Sequence, residues 1–330
     1  MTLFSPEAMQ QVFREANTGL NDPSSTPYEV MAAKYLDQEE AAGRLAVAGG
    51  TLDNDPIGDI LKRRQQNTET SGVTLPNLDP NFRSLLETSH TASSELFQAL
   101  DFTPPELTAF SEVGVDLAKL QTAHETMMQS DLAPEIVIAP ILSVEQWKQL
   151  YKGLEDDQTI NQDGRIKDGG LYIDDTVANH WDELMQQTID NAHTVQDDQG
   201  IAWHILVMPG TDRPPVLKVG HNGTNVQNQR DTTLQQQIDS IFGQFATVLE
   251  DIPLHPSTPA YLTLQAARLQ ANTPPLDNNT RTWLQGTFTE NNSLQAPFGG
   301  WYPGPGRVLV GWGEVVRRDG SLGGRLPVWG

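Results

Sequence analysis

Eight residues at 201–208, IAWHILVM, are almost wholly apolar and rich in branched side chains, and Pro209 and Gly210 close them. Branched side chains crowd a helical turn but sit well on a pleat, and the run is too short for an ordinary core helix. It predicts a strand buried on both faces. An earlier run at 135–142, EIVIAPIL, has the same character and contains Pro140. Two such strands demand a sheet whose faces are both covered, so the second half of the chain should be a layered body built around them. A third β-compatible run follows at 215–220. The polar, proline-rich stretch 210–214 before it reads as the connection of a long hairpin.

The covering elements are predicted from helical spacing and from starts marked by a capping oxygen before proline, where the missing N–H costs nothing. Ser5-Pro6, Thr26-Pro27, Asp79-Pro80 and Thr103-Pro104 mark four such starts. The first two helices are expected to end by Leu20 and at Gly49-Gly50. A polar linker over 50–80 follows, expected to be mobile. Beyond Thr103, the spacing of Phe110, Val113, Leu117, Leu120, His124 and Met127 predicts a bundle helix with His124 on its apolar stripe. Ser143 and Gln146 form a capping box ahead of Val144, Trp147, Leu150, Tyr151 and Leu154. An acidic loop at 155–170, a short strand at 171–173 and a helix over 175–192 come next. Within the last, Val177, Trp181, Leu184, Met185 and Ile189 face the core.

The strongest amphipathic pattern is Leu234, Ile238, Ile241, Phe242, Phe245, Val248, Leu249 and Ile252, a continuous helical stripe over 232–252 that cannot stay in water. Thr258-Pro259 starts another helix reaching about 271, and 280–285 reads as a short one. From Ala296 the chain turns glycine, proline and aromatic rich, predicting strands at 307–316 and 325–329 around an Asp319-Gly320 turn. All seven tryptophans lie beyond a boundary expected at 129–134. The resulting expectation is an α+β chain: a helical domain over 1–130, then a mixed sheet domain over 131–330, covered by helices and finished by a β-rich tail.

Charge narrows the function classes. The net charge is -22, which opposes binding to bare phosphate backbones or anionic membranes. Asp and Glu outnumber Lys and Arg by 15 to 4 within residues 131–200, whereas 201–330 is balanced at 9 to 9. The acidic face therefore belongs to the middle of the chain. No cysteine is present, which excludes disulfides, thiol catalysis and Cys-ligated metal. No apolar run is long enough to span a bilayer, and the first residues lack the basic start and apolar core of a signal peptide, so a soluble, cytoplasmic protein is expected.

The sequence lacks a GxSxG elbow, a phosphate-binding GxxxxGK[ST] loop, a GxGxxG turn and a complete HExxH helix; His124-Glu125 begins the last without its second histidine. Thr159, Asn161, Asp163 and Gly164 take the first, third, fifth and sixth positions of a calcium loop. Thr at the first and Gly170 at the twelfth remove the charges that such a loop relies on. Asn161, Asp163, Asp174 and Asp175 remain as candidate cation ligands, with a solvated acidic turn as the simpler reading. His221, just past a strand end, is a candidate catalytic base with Asp212 or Asp175 as its acid. His255 should lie apart from it, and His204 in mid-strand should be a hydrogen-bonded core residue. Trp301, Tyr302, Trp312 and Trp329 read as packing for a small β subdomain, or else as an aromatic platform. No cofactor is implied. The expected function is a non-catalytic interaction or scaffold protein offering its acidic face to a basic protein. The alternatives are a hydrolase or transferase centred on His221 and an acidic DNA mimic.

Overall fold

The two apolar runs are strands, and they pair with each other. β1 (Pro134–Pro140) and β4 (Ala202–Pro209) form an unbroken antiparallel ladder from Pro134↔Pro209 to Pro140↔Trp203. Pro140 is tolerated because β1 is the outer strand of its sheet. Successive β4 side chains point to opposite faces. Trp203 packs edge-on against Phe97 at 5.4 Å, while His204 on the other face reaches Ser257. Both faces are covered, and Trp203 through Met208 are all buried.

The computed structural model describes residues 75–217, 221, 255–317 and 321–330; all fall within one compact unit, Ser71–Gly330. The two helices and the linker expected before residue 75 lie outside the described residues, as do the predicted helix over 232–252 and the Asp319-Gly320 turn. The architecture is α+β. Helices α1 (Pro80–Phe97), α2 (Leu107–Glu112) and α3 (Leu117–Gln129) precede β1. After it come α4 (Val144–Asp156), β2 (Leu171–Ile173), α5 (Asp175–Asn179), α6 (Trp181–Asn191), β3 (Val195–Gln196) and β4. β5 (Val216–Leu217), α7 (Thr258–Gln270), β6 (Arg281–Trp283) and β7 (Phe288–Glu290) follow. The chain closes with β8 (Ser293–Tyr302), β9 (Arg307–Glu314), β10 (Leu322–Gly324) and β11 (Val328–Trp329).

The strands form two sheets. The first is antiparallel, ordered β1-β4-β11, with β3 also on β4. The second is mixed, ordered β2-β9-β8-β6-β10-β5, with β7 on β8; β2 runs parallel to β9 and β10 parallel to β6. The domain boundary expected at 129–134 falls inside this unit. Phe82, Leu120 and Met127 share one buried cluster with Ile138, Val207 and Val328.

Local signals hold where the chemistry is local. Asp79 accepts from the Asn81 and Phe82 amides and starts α1, and Ser143 and Gln146 complete the capping box of α4. Five expectations give way. The run at 215–220 makes no hairpin with β4, because β5 joins β10 in the other sheet. The helix expected from Thr103 begins at Leu107 and splits into α2 and α3, broken around Gly114, whose φ of 96° no helix accommodates. The helix over 175–192 is likewise two, meeting at His180. Residues 280–285 give the strand β6 rather than a helix. In the tail, β9 and β11 belong to different sheets.

A buried polar network fastens the sheets together where the chain crosses from β10 to β11. Arg325 and Asp277 are both fully buried and 2.8 Å apart. The guanidinium also donates to Pro209 O, Thr211 O and Thr282 Oγ1. Asp277 accepts in addition from Thr280, Thr282 and Tyr261 of α7. Gln265, one turn beyond Tyr261, donates to the Tyr261 hydroxyl and Leu276 O and accepts from the Leu276 amide. With both carboxylate oxygens doubly bonded, the charges are compensated in a dry environment.

Gly299 on β8 lets this network form. A Cβ there would stand 2.3 Å from the Tyr261 ring. Gly299→Ala should therefore destabilise the fold by about 1–3 kcal/mol through overpacking, read as a lower urea midpoint with an unchanged m-value.

Candidate functional site

The polar side chains most able to do chemistry gather around the start of α7. Ser257 caps that helix, accepting from the Ala260 amide at 3.1 Å, and its Oγ lies 2.8 Å from His204 Nε2 on β4. The His204 ring stacks on Trp329 of β11 at 5.3 Å. Complete burial pushes His204 down to about 3, so the ring is neutral. A serine beside an imidazole is the beginning of a nucleophile and base pair. Here, among the described residues, Nδ1 has no hydrogen-bond partner to orient the ring, and both residues are buried. The pair ties the first turn of α7 to the central strand of the first sheet.

His221 and His255 meet, against expectation. Their rings stack at 4.4 Å, with Trp283 edge-on to His221 at 5.7 Å. His221 Nε2 donates to Leu284 O and His255 Nε2 to His221 O, both at 2.9 Å. A carbonyl only accepts, so each Nε2 carries its proton. Desolvation lowers His221 to about 4. It holds His255 well below the ordinary histidine range, with the neighbouring imidazole a second cause. Sequence reasoning placed the two apart because a helix between them would separate their loops; instead both ends of that intervening chain return to β6.

The acids proposed as partners of His221 lie apart from it. Asp212 is exposed and lies 3.6 Å from Arg268. Asp175 is exposed in the first turn of α5. Neither is among the hydrogen-bond or ring partners of His221. Asp174 caps α5 through the Thr176 amide and accepts from Trp312 Nε1 at 3.0 Å.

The calcium-like loop is held by its own side chains. Asn161 donates to Glu155 O and Ile166 O and accepts from the Ile166 amide. Asp163 accepts from the Arg165 amide, and Thr159 donates twice to Asp157. Arg165 caps the far end of α7 by donating to Leu269 O and Thr273 O. Among the described residues, no three His, Asp or Glu side chains are grouped as a metal site requires.

The four aromatic residues of the tail form no single platform. Trp301 is buried in the main core, Trp312 is bonded to Asp174, Trp329 lies on His204, and Tyr302 is exposed. The constellation missed from sequence is the Asp277, Arg325, Tyr261 and Gln265 network. No local pattern in the sequence marks it.

The chain matches no family model, no curated protein and no solved structure. Its own geometry is what speaks to function, and among the described residues no helix is long and apolar enough to cross a membrane.

The buried histidines fix a pH dependence. Above the unfolded value of about 6.5, neither state protonates them and their burial carries no electrostatic cost. Below it the unfolded chain takes up protons that the folded state refuses until about pH 4 for His221 and about 3 for His204. Stability should therefore fall as pH drops below 6.5, by up to about 1.4 kcal/mol per pH unit for each of the three. Urea midpoints at pH 7 and 5.5 measure this, and His204→Asn should remove about a third of the slope.

Proposed function

We propose that this protein is a non-catalytic interaction protein whose acidic middle segment engages a basic protein surface. The observation that carries the reading is where the charges of residues 131–200 lie. Of the 15 Asp and Glu in that segment, 11 are exposed. Nine of them are spread over α4, the loop after it, α5 and α6, and Asp131 and Asp198 lie before β1 and after β3. Four cations stand against them. Lys152 pairs with Glu155 and Asp156, and Arg165 turns to the carbonyls that end α7. Buried polar side chains, by contrast, mostly serve as caps and ties between elements.

An exposed face of one sign steers encounter with an opposite charge and weakens as salt screens it. Proteins captured from cell extract at about 50 mM salt should be released by about 500 mM, where the screening length shrinks to a few ångströms. The variant Asp182→Asn, Glu183→Gln, Asp190→Asn, Asp198→Asn should capture them several-fold less. Capture indifferent to salt and to these substitutions would reject the reading. Displacement of the captured protein by duplex DNA would favour the DNA-mimic alternative.

A further inference from the structure

One corner of the second sheet sets two exposed tyrosines beside an arginine. Tyr302 lies opposite Arg307 across β8 and β9. Tyr172 of β2 lies opposite Leu309, two residues on from Arg307 and so on the same side of the sheet. Trp301, Val308 and Val310 alternate with these residues and enter the core. Tyr172 and Tyr302 are 38% and 53% exposed. The turn that joins β8 to β9 is stiff, because Pro303 and Pro305 each fix a φ angle. It is also seated on the preceding loop: the Gly306 amide donates to Tyr302 O, and Gly306 O accepts from the Lys167 amide. Exposed Lys167 therefore stands at the same corner.

Arg307 is what distinguishes this corner. Arg165, Arg268 and Arg325 direct their donors to carbonyls and carboxylates. Arg307 instead lies over the Tyr172 ring, 4.7 Å from its centroid, and its Nε is buried without a hydrogen-bond partner. Among the described residues, no ion pair engages Arg307 or Lys167. Asp and Glu outnumber Lys and Arg by 43 to 21 in this chain, so two adjoining cations without an acid are not what chance pairing would leave. Stacking on Tyr172 holds the guanidinium plane still and turns its remaining donors to an incoming anion.

We propose that this corner binds a nucleoside monophosphate, with the base stacked on Tyr302 and the phosphate held by Arg307 and Lys167. Each part of the ligand answers a feature of the site. A half-exposed tyrosine ring on a rigid turn offers a face to any base. An unpaired guanidinium with a lysine beside it suits a phosphate. β2 and β8 flank β9, so the guanidinium over Tyr172 and the ring of Tyr302 are separated by roughly 5–10 Å. A phosphate joined to its ring through a ribose spans such a gap, whereas an anion attached directly to a ring does not. The negative field of the whole chain opposes a polyanion far more than a ligand carrying about two charges. The site goes beyond the acidic-face reading and does not depend on it.

Titration calorimetry of the full chain with adenosine monophosphate, at about 50 mM salt so that screening is modest, tests this. Binding should saturate at a single site. Arg307→Met should weaken it by about tenfold or more, and Tyr302→Ala by about fivefold or more. Adenosine, which lacks the phosphate, and ribose 5-phosphate, which lacks the base, should each bind correspondingly more weakly than the nucleotide. Arg83→Met on α1 removes the same charge elsewhere and should leave the affinity unchanged. Urea midpoints show which variants are folded; should Arg307→Met fail to fold, Tyr302→Ala on the exposed turn decides. Absence of saturable binding up to millimolar nucleotide would overturn the proposal. So would equal binding of ribose 5-phosphate, or an Arg83→Met loss as large as that of Arg307→Met.

Discussion

The fold depends on one fully buried ion pair. Arg325 and Asp277 sit where the last strands leave one sheet for the other, and their partners come from β4, α7, β6 and the loops beside them. A charge in a dry interior is tolerable only when paired and saturated with hydrogen bonds. Every element that supplies one of those bonds is therefore tied to its neighbours by hydrogen-bond geometry. The apolar core supplies the driving force, and the network adds directional bonds to it. Gly299 belongs to the same constraint, since only a bare backbone lets the Tyr261 ring approach β8 and reach Asp277.

How much of this was legible in the sequence follows from which interactions are local. The β1 and β4 runs announced themselves, because strands buried on both faces leave no polar period. The Asp79 cap and the Ser143 and Gln146 box act within a single turn of helix, so they too were readable. The breaks at Gly114 and His180 were not. Apolar spacing continued through both, and only the tertiary path shows that the axis changes. Strands of two or three residues such as β5, β6 and β10 carry too little pattern to be seen. Their partners lie far along the chain, and β6 was read as helical for that reason.

The candidate site shows the same division. The sequence marked His204 as a hydrogen-bonded core residue, and the structure gives it Ser257 as partner. It also marked His221, but with Asp212, which lies beside Arg268, and Asp175, which is exposed on α5, neither of them a partner of the ring. The meeting of His221 with His255 depends on how a long intervening stretch returns, which no spacing rule expresses. Asp277 and Arg325 are each ordinary in their local sequence. Among the described residues, the Arg325, Asp277, Tyr261 and Gln265 network bridges elements of the fold, while most acidic residues of the middle segment are exposed.

The central claim is that Arg325 and Asp277 act as one unit in joining the two sheets, and a double-mutant cycle in equilibrium unfolding tests it most directly. Arg325→Met and Asp277→Leu should each cost about 3–5 kcal/mol, because each strands the other charge in the interior. The double variant should be no less stable than either single one, giving a coupling of at least about 3 kcal/mol. Two costs that simply add, to within about 0.5 kcal/mol, would contradict the account.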